Sequence, residues 1–182
     1  MKRTRFVALT GLLGAAALVL SFVETLIPLG NLLPPGVKLG LSNIVTMFAA
    51  FAVSLPAALG VTLVKALFAL LTRGAVAGLL SLTGGVLSTL AVWLFASFDR
   101  KKRFGFFGIS IAGALCHNVG QLLAVALLSP NKAYLWYLPV LLLSALAAGT
   151  VTGLILKTLY PYLIRLQPKK SERKDPHART PH

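Results

Sequence analysis

FVALTGLLGAAALVLSFVETL, residues Phe6 to Leu26, carries one charged side chain, Glu24, and its texture continues well beyond it: between Phe6 and Phe98 the only charged residues are Glu24, Lys38, Lys65 and Arg73. A helix rising ~1.5 Å per residue needs about 20 apolar residues to cross a hydrocarbon core ~30 Å thick. This stretch therefore reads as a membrane span, and similar apolar sequence resumes from Phe104 to Ile164. With 57% hydrophobic residues and a mean hydropathy of +0.83, the 182-residue chain reads as an integral membrane protein with no room for a separate soluble domain. Lys2, Arg3 and Arg5 followed by Val7 to Leu20 also have the form of a secretory signal. However, the apolar run continues through Val23 with no small-x-small cleavage site before the polar loop, so it reads as the first membrane helix.

Six helices are expected. The first covers about Phe6 to Leu26, and Pro28, Gly30, Pro34, Pro35 and Gly36 then make a structured loop that cannot continue it. The second, Val37 to Ser54, is short for a span, and short membrane helices often border a cavity. Pro56 suits the first turn of a third helix ending near Thr72. The fourth, Ala75 to Phe98, contains Gly84-Gly85, a place for a kink or for close approach of a neighbour. Asp99 to Arg103 breaks the hydrophobicity. The fifth helix runs from Phe104 to Leu128, the turn Ser129-Pro130-Asn131-Lys132 follows, and the sixth spans Ala133 to Tyr160 and stops before Pro161. The expectation is an all-α bundle of six transmembrane helices over residues 1–164, with a basic, disordered tail over 165–182.

Charge orients the bundle. Lys2, Arg3, Arg5, the run Arg100 to Arg103, and Arg165, Lys169, Lys170, Arg173, Lys174 and Arg179 place thirteen cations on one side, against Lys38, Arg73 and Lys132 on the other. Lys and Arg concentrate on the cytoplasmic side of membrane proteins, so both termini are expected in the cytoplasm and the Pro/Gly-rich loop outside, in a multi-pass protein of the plasma membrane. The net charge of +14 then belongs to membrane boundaries. No aromatic-studded basic surface suggests a nucleic-acid partner.

An ionisable group inside hydrocarbon costs about 2.5–3.5 kcal/mol on insertion scales unless it faces water, a partner or a ligand, so the few intramembrane polar residues mark the candidate site. Lys65 falls near mid-membrane, Glu24 at the outer end of the first helix, Asn43 in the outer part of the second, and His117, Asn118 and Gln121 in the middle to outer half of the fifth. His117 and Gln121, four apart, share a helix face. Lys65 can instead be a structural ion pair with Glu24. Lys38 and Arg73 can be interface anchors, and His117, Asn118 and Gln121 can be interhelical hydrogen-bonding groups. If all contribute to one recess, three cations against one carboxylate favour an anionic ligand. On the first helix, Gly11 and Ala15, thickened by Ala8, Gly14 and Ala16, make a smooth surface. It suits either packing within the bundle or docking of another membrane subunit.

Some chemistry has no residues to carry it. No G-x-x-x-x-G-K-[ST] phosphate loop occurs, the only aspartates are Asp99 and Asp175, and the lone Cys116 allows neither a disulfide framework nor a cysteine metal cluster. Neither metal nor cofactor is expected, and no enzymatic activity.

The segments PPGVKLGLSNI (Pro34 to Ile44), KALFALLTRG (Lys65 to Gly74) and HNVGQ (His117 to Gln121) resemble the Gx transporter group, often labelled heptaprenyl diphosphate synthase component I. The resemblance covers about residues 6 to 164. That group is similar to the S components of energy-coupling factor (ECF) vitamin transporters. The likeness implies a six-helix subunit that captures a scarce small molecule from outside and associates with a transmembrane coupling subunit driven by two cytosolic ATPases. It also implies docking through a small-residue face on the first helix, where Gly11 and Ala15 stand.

The leading expectation is therefore a solute-binding membrane subunit. Lys65, with Lys38 and Arg73, meets the anionic part of a vitamin-like or isoprenoid ligand, Asn43, His117 and Gln121 orient it, and Ile27 to Gly36 acts as a lid. The alternatives are a non-transporting accessory of polyprenyl diphosphate synthesis and an autonomous secondary carrier, the latter disfavoured by the lack of inverted repeats.

Overall fold

The computed structural model describes residues 3–26, 40–98, 105–129, 135–136 and 138–165. Among them there is no strand. The elements are α1 (Arg3–Leu26), α2 (Leu41–Phe48) running into a π-helical turn (Ala49–Val53), α3 (Leu55–Arg73), α4 (Ala75–Phe98), α5 (Gly105–Leu128) and α6 (Leu138–Arg165). Five of these helices are long and apolar enough to cross a membrane, and the six together form an all-α membrane bundle.

The second helix differs from the expected Val37 to Ser54. Its described part, Leu41–Val53, is only ~20 Å long at ~1.5 Å per residue. It ends because Ser54 turns fully extended (φ −177°, ψ 162°) and its hydroxyl accepts a hydrogen bond from the Ala57 backbone N–H at 3.4 Å, which caps α3. Pro56 sits in the first turn of α3, where a missing N–H costs nothing. The preceding backbone widens into a π turn, in which Ser54 N–H donates to the Ala49 carbonyl at 3.0 Å.

The sixth helix corrects a second expectation. It continues through Pro161 to Arg165, because a proline near the end of a long membrane helix removes one backbone hydrogen bond without ending the helix. Lys157, in the same region, is exposed with its ammonium 5.7 Å from the centre of the Phe107 ring. The tail beyond residue 165, the Asp99 to Arg103 run and the Ile27 to Gly36 loop lie outside the described residues.

Glycine decides how closely the helices approach. A Cβ on Gly120 would stand 2.8 Å from Gly84 Cα and from the Thr83 carbonyl, so α4 and α5 touch backbone to backbone. Gly149 meets the Ile111 backbone in the same way, at 2.7 Å, which brings α6 onto α5. Gly84-Gly85 therefore permits close approach within one unbroken helix. Between α3 and α4 a single residue, Gly74 (φ +90°), makes the turn, and a Cβ added to Gly78 would stand 2.8 Å from Leu70 Cβ. The Thr62 and Thr89 hydroxyls join the same two helices at 2.9 Å.

α1 packs on α2 and α3 and presents Val7, Leu12, Val19 and Phe22 outward. The end of the bundle formed by the π turn, the start of α5 and the end of α6 is filled by Phe48, Phe51, Phe106 and Tyr160, with ring centroids 4.9 to 6.5 Å apart. Buried Ala17, Val61 and Leu156 lie in the core between the helices. The other end is left open to polar residues.

Gly120→Ala is expected to lower the melting temperature of the detergent-purified protein, with a cost of about 1–3 kcal/mol from overpacking against backbone that cannot yield. Gly11→Ala, where nothing lies within 4 Å of the added carbon, is expected to leave it unchanged or slightly raised. Equal effects would contradict the packing described.

Candidate functional site

Opposite the aromatic end, all six helices contribute to one cavity of about 220 Å3. α1 supplies Ser21 and Glu24, the start of α2 supplies Ser42 and Asn43, α3 supplies Lys65 and Arg73, and α4 supplies Ser81. From α5 come His117, Asn118 and Gln121, and from α6 Ser144. Of the eight residues expected to bind a ligand, seven line this space. The eighth, Lys38, lies outside the described residues.

Lys65 is the pivot of the site. It is half-buried on α3, and its ammonium donates a 2.7 Å hydrogen bond to Asn43 Oδ1 on α2. A charge-assisted bond of that length is about twice as strong as a neutral one. It solves part of the problem of placing a cation within a membrane helix, while Lys65 still faces the cavity. Glu24 is buried, and its Oε1 accepts a hydrogen bond from the Gly40 backbone N–H at 2.5 Å. Gly40 adopts the left-handed conformation (φ +77°) that glycine alone takes without strain. The carboxylate thereby ties the last turn of α1 to the entry of α2. Arg73, eight residues beyond Lys65 and so ~12 Å along the axis, is exposed at the rim.

On the opposite wall His117 and Gln121 sit one turn apart on α5, directly over Gly84. A Cβ on Gly84 would meet the His117 carbonyl at 2.8 Å and Gln121 Cγ at 2.9 Å. The glycine contact that joins α4 to α5 is therefore also what sets these two side chains against the cavity. Asn118 is engaged in the bundle: its Nδ2 donates to the Leu141 carbonyl at 2.7 Å and lies 3.4 Å from Ser144 Oγ, which joins α5 to α6. Ser144 itself donates to Leu141 O at 2.9 Å. Thr72, which shares a helix with Lys65, turns its hydroxyl back to the Phe68 carbonyl at 2.7 Å and takes no part in the lining.

Ser21, Ser42, Ser81 and Ser144 escape a reading of the sequence. A serine in an apolar helix commonly bonds its own preceding turn, so its presence alone does not reveal a cavity. Beneath the Lys65–Asn43 bond lies a second space of about 10 Å3, lined by Thr46, Met47, Thr62, Ser88, Thr89 and Val92 among others. Among the described residues no group of three or more His, Cys, Asp or Glu side chains is placed to hold a metal ion.

Gly11 and Ala15 lie on an exposed face of α1, with Ala8 and Ala16 also exposed. Gly14 turns inward, where an added Cβ would rest 3.6 Å from Val64. The small-residue surface is thus split: one side packs on α3 and the other is left uncovered.

Residues 13–159 match a family model described as heptaprenyl diphosphate synthase component I, a stretch that includes every residue lining the cavity. No curated protein and no solved structure matches the chain.

Asn43→Leu removes an acceptor from a half-buried ammonium and is expected to cost about 1.5–3 kcal/mol of stability. Adding Lys65→Met should restore much of the loss, because an apolar pair carries no desolvated charge. Thermal unfolding of the native protein and the two variants checks this. A single Asn43→Leu change without effect would contradict the role given to the bond.

Proposed function

We propose that this chain, which belongs to the heptaprenyl diphosphate synthase component I family, is the solute-binding S component of an energy-coupling factor importer. In this role it takes a small molecule with an anionic group from outside the cell into the cavity around Lys65. The observation that carries the proposal is the Lys65–Asn43 bond facing a cavity that every helix lines. A lysine needed only for packing would be an expensive choice at that depth. Two cations, Lys65 and Arg73, face the space, while the carboxylate of Glu24 is committed to the Gly40 N–H. The balance attracts an anion.

The thirteen-to-three distribution of Lys and Arg supports cytoplasmic termini and an external cavity, since Glu24, Arg73 and Ser81 cluster at the end opposite Arg3, Arg5 and Arg165. The exposed part of the α1 small-residue face, Gly11 and Ala15, is the docking surface for the transmembrane coupling subunit. Two cytosolic ATPases then supply the energy, because the chain has no phosphate-binding loop of its own.

A second reading is favoured by the family's description: a non-transporting membrane accessory of polyprenyl diphosphate synthesis. The chain would not itself perform the transfer, since its four acidic residues, Glu24, Asp99, Glu172 and Asp175, form no aspartate-rich pair for a magnesium diphosphate.

Gentle purification from native membranes followed by mass spectrometry of associated proteins separates the two. Recovery of a transmembrane coupling protein with two ATPases supports the first reading, and recovery of a soluble prenyl synthase instead contradicts it. Ala15→Leu, on an exposed surface, is expected to reduce the recovered coupling protein at least ~tenfold while leaving the melting temperature of the isolated chain unchanged.

A further inference from the structure

The lining of the cavity restricts what can occupy it. Among the described residues, eleven of the eighteen that line it are polar or charged, and the apolar remainder is small apart from Leu80 and Leu141. No Phe, Tyr or Trp is among them; the aromatic residues Phe48, Phe51, Phe106 and Tyr160 gather at the other end of the bundle. The space is about 220 Å3. It falls below the ~300–1,000 Å3 of sites that take drug-sized ligands, whose linings are rich in aromatic side chains.

We infer that the ligand is a small, non-aromatic, hydrophilic anion, a phosphate or carboxylate bearing several hydroxyl or amide groups, and neither a prenyl chain nor a fused-ring cofactor. The inference deepens the proposed function and rests on its claim that this cavity is the binding site.

The physical reason is desolvation. Serine hydroxyls and the Gln121 amide give up hydrogen bonds to water when a ligand enters, and a hydrocarbon chain returns none of them. A site built from hydrogen-bonding groups discriminates strongly against a ligand that lacks the partners, whereas an apolar site discriminates weakly against one that has them. A flat ring system would need a stacking face, and among the described lining residues the only ring is the His117 imidazole. The charge pattern adds polarity along the ligand. Lys65 at the Asn43 contact and Arg73 at the rim stand ~12 Å apart along α3, so the anionic group can be held at one and the hydrogen-bonding remainder can fill the space between.

Three probes test this on the full chain in lipid nanodiscs, with saturable shifts in melting temperature as readout. They are a panel of non-aromatic phosphates and di- and tricarboxylates of up to about twelve non-hydrogen atoms, flavin mononucleotide, and farnesyl diphosphate. At least one member of the panel is expected to bind, with its affinity reduced tenfold or more by Lys65→Gln, while the other two probes give no saturable shift. Arg73→Gln, at the exposed rim, should weaken the same compound without disturbing the packing and keeps the test decisive if Lys65→Gln does not fold. Saturable binding of flavin mononucleotide or farnesyl diphosphate that either variant weakens would overturn the ligand class and leave the cavity as the site. Binding that neither variant weakens, or no binding by any probe, would overturn both the class and the assignment of the cavity.

Discussion

A lysine half-way along a membrane helix must be answered by something, and the answer organises this protein. The Lys65 ammonium donates to Asn43 Oδ1 at 2.7 Å, and in doing so fixes α2 against α3 at the depth where the cavity begins. α2 is short because Ser54 and Pro56 start the next helix, and its entry is held by Glu24 through the Gly40 N–H. The three helices α1, α2 and α3 are thus joined around the cavity by a charged group at each of two levels, Glu24 at the entry and Lys65 deeper. Each charge has a specific polar partner, which is what a surrounding of low dielectric demands of a charged group.

The other three helices rely on a different device. Gly84 against Gly120 and Gly149 against Ile111 bring α4, α5 and α6 into backbone contact, with the Asn118 amide joining α5 to the Leu141 carbonyl of α6. Dispersion over these close surfaces replaces the hydrophobic driving force that lipid removes. The two halves meet at the cavity, where His117 and Gln121 stand over Gly84 and face the Lys65 side. The packing contact and the cavity wall share atoms here, so a glycine substituted for stability would also move that wall.

Much of this was legible from the residues because hydrocarbon makes polar groups rare and therefore informative. Lys65, Asn43, Glu24, Arg73, His117, Asn118 and Gln121 stand out against apolar surroundings, and they converge on one space. The bounds of the fourth helix, Ala75 to Phe98, follow from Gly74 on one side and Asp99 on the other. Three things did not follow. Serines that bond their own helix look the same in sequence as serines that line a cavity. Pro161 reads as a stop although a helix near its end can carry it. The split of the α1 small-residue face, with Gly14 inward and Gly11 outward, depends on where α3 lies, which local sequence does not encode.

Position 65 offers the most direct measurement of whether water reaches a polar recess at this depth. With Cys116→Ser as the background and Lys65→Cys introduced, intact cells are treated with a membrane-impermeant thiol reagent. Labelling from the outer side is the predicted result. No labelling in folded protein, or labelling only after the reagent is admitted to the cytosol, would contradict an external cavity built around Lys65.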